Sequence, residues 1–128
     1  MGTRSLTFVY DKEVPVLCLY RQFDGYPSGM GLDLANFLNS FDEITNGFKL
    51  NEKRKIANGM GCLAAQLVKE MKNGHGSVYL MSTFATDADQ DFEYHIYEKR
   101  IIVKNYNEQV IFSGNKEQFL EFCKEDET

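Results

Sequence analysis

The chain has 128 residues, 43% of them hydrophobic with ten Phe and seven Tyr, enough for one folded domain that buries roughly two-thirds of the surface exposed by its unfolded chain. Nineteen acidic against fourteen basic residues leave a net charge of −5, which disfavours nonspecific nucleic-acid binding because phosphate neutralisation needs surplus Lys and Arg. Three cysteines cannot all pair within one chain, and no stretch reads as a signal peptide or approaches the ~20 apolar residues that span a bilayer, so a soluble protein of the reducing cytoplasm is expected.

Residues 4–10 set Leu6, Phe8 and Tyr10 against Ser5, Thr7 and Val9, a period of two in strand-forming residues. Residues 14–21 form a second run, and the short polar Asp11-Lys12-Glu13 between them predicts an antiparallel hairpin, central in its sheet because both faces are apolar. With Lys12-Glu13 as the loop, Asp11 lies opposite Val14, and counting back sets Arg4 opposite Arg21. Two guanidinium groups side by side need a counter-charge, which either an anion or the chain's own Asp24 would supply.

The stretch from Tyr20 to Gly31 is a strand-to-helix elbow and the main candidate site. Gly25, Gly29 and Gly31 open backbone angles closed to other residues, and Pro27 fixes its own. Arg4, Arg21, Gln22, Asp24, Tyr26, Ser28, Gly29 and Gly31 are the residues expected to hold a small anionic, nucleotide-like ligand or a host protein, without a metal or cofactor. Leu34, Phe37, Leu38 and Phe41 then fall on one helical stripe, which Asn46-Gly47 is expected to end. The basic residues of 48–57 read as a solvated connection.

A second helix after Asn58 puts Met60, Leu63, Ala64, Leu67, Val68 and Met71 on one side. Its start, Gly59-Met60-Gly61-Cys62, repeats Gly29-Met30-Gly31-Leu32, with Asn58 and Ser28 as the expected caps. Glycines there allow close approach, either of an anion to free N–H groups or of one helix to the other. Strands are expected at Val78–Ser82, Phe92–Glu98, Ile101–Tyr106 and Gln109–Phe112, the last three as an antiparallel meander. A final helix follows, opened by a capping box of Asn115 and Gln118, before an acidic end, 125–128, expected to fray. The order ββ, α, α, ββββ, α implies one α+β domain over 1–124: two layers, a mostly antiparallel sheet of about six strands with about three helices packed on it.

Among reactive groups, Cys62 lies at a helix start, where a thiolate is favoured, and points away from the apolar stripe; a small enzyme using Cys62 or Asp24 is the alternative to a binding protein. A base would have to be His75 or His95, neither of them local. Cys18 and Cys123 read as core. Asp87, Asp89, Asp91 and Glu98 match four positions of a calcium loop, but Phe92 replaces the glycine at its sharp turn. His95 shares a polar strand face with Glu93 and Tyr97.

Thr3-Arg4-Ser5, the elbow from Tyr20 to Gly31, and Asn58-Gly59-Met60-Gly61-Cys62-Leu63-Ala64-Ala65-Gln66 together resemble a group of short, uncharacterised proteins scattered through bacteria and their phages. The resemblance spans most of the chain. It implies an architecture and a phage or mobile-element setting, in which sequestering a host signal or blocking a defence protein would be the role, and it carries over no catalytic residues.

Overall fold

The structure is a computed structural model that describes residues 2–45, 55–74 and 76–127. Alternating side chains make β1 (Ser5–Asp11) and β2 (Val14–Arg21), joined by a two-residue loop in which Lys12 takes a positive φ of 59°. One turn of π-helix, Pro27–Gly31, runs into α1 (Leu32–Asn39). After β3 (Glu43–Thr45) and β4 (Ile56–Asn58) come α2 (Gly59–Met71), β5 (Val78–Met81), β6 (Phe92–Ile96), β7 (Ile101–Asn105), β8 (Val110–Gly114) and α3 (Lys116–Lys124).

Six strands form one sheet in the order β5-β2-β1-β6-β7-β8, antiparallel throughout except where β1 meets β6. This is the expected α+β architecture, with the hairpin at the centre and β6 to β8 as the meander. Fully buried Val9, Leu19, Tyr94, Ile96 and Val103 line the face on which the helices pack. Leu34, Leu38, Leu63, Leu67 and Phe119 meet them there, each buried aliphatic side chain contributing roughly 1.5–3 kcal/mol. Leu6, Phe8 and Cys18 point the other way, into a smaller cluster closed by Ala85 and Ala88 of the β5–β6 loop.

Three expectations are corrected. The first helix stops at Asn39, before the Asn46-Gly47 pair, which lies outside the described residues. Asn39 Nδ2 donates to Ala35 O, Ser40 Oγ donates to Phe37 O, and Phe41 still reaches the core, edge-on to Phe37 at 5.0 Å. Residues 56 and 57 are no solvated connection: they belong to β4, which pairs in parallel with β3 and buries Ala57, while 48–54 lie outside the described residues. Of the two expected caps, Asn58 does hold the N-cap position of α2, but Ser28 caps nothing. Tyr26 holds the cap position of the π-turn, with Ser28 inside it, and the Asn58 side chain makes no capping hydrogen bond. The capping box at Asn115 and Gln118 is present in full. No described helix is long and apolar enough to cross a membrane.

Candidate functional site

The hairpin register decides what the elbow can do. Asp11 does face Val14, but Tyr10 pairs with Pro15 and Val9 with Leu17, so Val16 is an extra residue and Arg21 lies opposite Ser5, not Arg4. A slip of one residue exchanges the faces, and the two guanidinium groups part company. Arg4 sits 3.8 Å from Asp89, whereas Arg21 reaches Asp33 Oδ2 at 2.6 Å, on α1. Pro15 was the signal available in the sequence: proline has no N–H for a ladder and marks a bulge.

Asp33, rather than Asp24, is therefore the counter-charge of Arg21. The same guanidinium donates from Nε to Phe23 O at 2.7 Å and approaches Met30 Sδ at 3.2 Å, fastening the strand end to the elbow and to the helix. Most other elbow groups also have partners within the chain. Asp24, with φ of 57°, accepts Met30 N–H on its carbonyl at 2.7 Å and the Tyr26 hydroxyl on its carboxylate at 3.0 Å, and that bond holds the Tyr26 phenol above its ordinary pKa. Gln22 accepts the Tyr20 hydroxyl and donates its N–H to Ser77 O. Gly25 bonds Thr3 O through its N–H and accepts the buried Tyr94 hydroxyl at 2.7 Å. Ser28 N–H donates to Asp126, which ties the acidic end to the π-turn. A side chain at Gly31 would meet Cys123 Sγ at 2.9 Å, so the close approach here is to α3 and not to α2.

What the elbow does create is a wall. Beside Arg21 lies an open cleft of about 620 Å³, bounded by Asp33, Asn36 and Ser40 on one side, Glu70 and Asn73 on the other, and Lys55. None of these six was expected in a site, Lys55 being among the basic residues read as a solvated connection, although Asp33, Asn36 and Ser40, at i, i+3 and i+7, form a polar stripe beside the apolar stripe of α1. Lys55 Nζ donates to Ser40 Oγ at 2.7 Å and lies 4.8 Å from the centre of the Phe41 ring; no described carboxylate pairs with it. Phe23, half-exposed, lines the same cleft.

A second polar cluster lies across the sheet. His95 is buried: Nδ1 is 2.7 Å from the Tyr10 hydroxyl, Nε2 is 2.9 Å from Glu93 Oε1, and the ring stacks on Phe8 at 5.1 Å. Tyr10 in turn stacks on Tyr97 at 4.3 Å, and burial together with Tyr97 pushes its phenol well above its usual pKa. Hydrogen bonds from His95 and then Gln90 hold the Glu93 carboxyl below its ordinary value. A depressed carboxyl adds stability that is present above the unfolded pKa and lost as pH falls through the folded one. Glu93→Gln should thus flatten the loss of stability below about pH 4.5, read from urea midpoints at a series of pH values; an unchanged acid limb would show that the pair contributes nothing.

The sheet separates this histidine from Cys62, whose Sγ contacts Gln66 Oε1 at 3.5 Å on the helix side; His75 lies outside the described residues. The other two thiols are core, with burial pushing Cys18 up to about 11 and Cys123 to about 12. Two aspartates of the calcium-like pattern are engaged within the chain: Asp91 accepts Arg4 N–H and Asp87 accepts Asp89 N–H. No group of three potential metal ligands occurs among the described residues. No family model matches the chain, nor does any curated protein or solved structure.

Proposed function

We propose that this is a non-catalytic binding protein of the cytoplasm that holds a small anionic, nucleotide-like ligand in the cleft beside Arg21. The observation that carries this reading is Lys55, an ammonium with no described carboxylate partner, on the cleft that Arg21 also lines. A volume of about 620 Å³ is in the range of small-molecule sites. Phe23 offers an exposed ring for a base to lie on, Asn36 and Asn73 offer amide donors and acceptors, and the Arg21–Asp33 pair gives the wall a fixed guanidinium. Three free thiols fit a reducing compartment. In the phage or mobile-element setting implied by the resemblance, the ligand would be a host signal and its sequestration a counter-defence role.

Thermal shift and calorimetry across nucleotides, cyclic nucleotides and sugar phosphates test this. At least one such anion should stabilise the wild type, and Lys55→Ala should weaken its binding by about 1.5–3 kcal/mol, the range for hydrogen bonds to charged groups, with little change in melting temperature because Lys55 is exposed. Arg21→Ala should weaken binding and also lower the melting temperature, since Asp33 and Phe23 O lose their partner. A wild type indifferent to the whole panel, or a Lys55→Ala variant that binds equally well, would overturn the proposal.

A further inference from the structure

We propose that the outer edge of β5, together with the tip of the loop that follows it, is a docking surface for a protein partner whose contacting face is basic and carries an apolar pocket. Phe84 is 86% exposed, unlike the ring of Phe119 or Phe8. Its backbone is not loose. Phe84 N–H donates to Ser82 Oγ at 3.1 Å, Ala85 N–H donates to Ser82 O at 3.0 Å, and Ala85 and Ala88 pack on the cluster of Leu6, Phe8 and Cys18. The loop is thus anchored on both sides of an aromatic ring held out in water. Just before it, on a strand whose only neighbour among the described strands is β2, Tyr79 and Met81 stand on the face of Tyr20 and Cys18, 50% and 37% exposed, while Leu80, 63% exposed, stands on the opposite face. Exposed apolar side chains gathered at one edge mark interaction sites, and a well-placed aromatic is the usual energetic anchor of one.

Charge selects the partner. From Tyr79 to Asp91 the chain holds three aspartates and no Lys or Arg, and the described cations beside it are Arg4, at Asp89, and Lys72, at the start of the edge, so carboxylates still outnumber them. The Asp89 side chain is 85% exposed, and its contact with Arg4 is a long one, at 3.8 Å. A basic face would complement this rim, whereas a second copy would bring the two acidic rims together, on chains that each carry −5. Strand-to-strand pairing of two copies is disfavoured as well, because Lys72 closes the start of the edge. Its Nζ donates to Gly76 O at 3.0 Å and Val78 O at 2.6 Å and lies 5.2 Å from the Tyr79 ring, the way a lysine blunts an exposed strand.

The test is selection of a displayed library of random peptides on the full-length protein, followed by affinities of the selected peptides for wild type, Phe84→Ala and the double variant Asp87→Asn/Asp89→Asn at low and high salt. Selected peptides should carry clustered Lys or Arg beside an aromatic or aliphatic residue. Phe84→Ala should weaken them by about tenfold or more at unchanged melting temperature, and the double variant should weaken them while flattening the salt dependence. Failure to select any peptide, neutral or acidic selections, or undiminished binding to Phe84→Ala would overturn the proposal. So would a dimer in light scattering that Phe84→Ala disperses, since a second copy would then be the occupant.

Discussion

Phe119→Ala is expected to lower stability by about 3–5 kcal/mol, the usual cost of emptying a buried phenylalanine site, and to reduce the melting temperature by on the order of 10–20 °C. The site has little means of collapsing. Phe119 is fully buried on α3, its ring tilted against Tyr94 at 6.2 Å and Phe112 at 5.8 Å, so the space left behind is walled by two other aromatics on strands of the central sheet. Of the helix's nine residues Phe119 and Cys123 are the buried ones, with Leu120 and Phe122 packed partly buried beside them. Loss of the ring should also be felt at the elbow, because Tyr94, which it supports, donates its buried hydroxyl to Gly25 O. Phe84→Ala serves as the control, the same chemical deletion at a ring in water, where a change within about 0.5 kcal/mol is expected. Urea unfolding of both variants decides the matter. A near-neutral Phe119→Ala would mean that α3 is not docked as described.

Features settled over a few neighbouring residues were legible in the sequence. The hairpin, the apolar stripes of α1 and α2, the three meander strands and the capping box of α3 each follow from a local period or a local pair. The register was not. One extra residue at Val16 is invisible to a pattern of alternation, yet it moves every pairing beyond it and so separated Arg4 from Arg21. The elbow was recognised by its composition, but its partners, Thr3, Ser77, Tyr94 and Asp126, lie far along the chain or on another element. No spacing rule joins them. For the same reason the glycines could be singled out without knowing what approaches them. The cleft was missed because its walls come from one face of α1, the end of α2 and Lys55, three segments that only the fold brings together.

Gly29→Ala and Gly61→Ala should act in opposite directions, although both glycines belong to the repeated Gly-Met-Gly pattern. At Gly29 a β-carbon would lie 2.2 Å from Asp24 O and 3.0 Å from the Tyr26 ring. The carbonyl cannot move aside cheaply. It accepts Met30 N–H at 2.7 Å, and its own residue sits at a positive φ of 57°, where a side chain is already disfavoured. The next residue, Gly25, is held by Thr3 O and by the Tyr94 hydroxyl. Relief therefore requires the elbow backbone to shift against several hydrogen bonds, and a loss of about 3 kcal/mol is expected, at the upper end for overpacking. At Gly61, in the first turn of α2, nothing lies within 4 Å of the added carbon. Alanine there should stabilise by up to about 1 kcal/mol, because glycine loses more backbone entropy in a helix. Thermal and urea unfolding of the two variants measures both signs. Should Gly29→Ala match the wild type, the elbow would be loose enough to rearrange and Arg21 would have no fixed wall to stand on; should Gly61→Ala destabilise, some contact at the start of α2 would have to account for it.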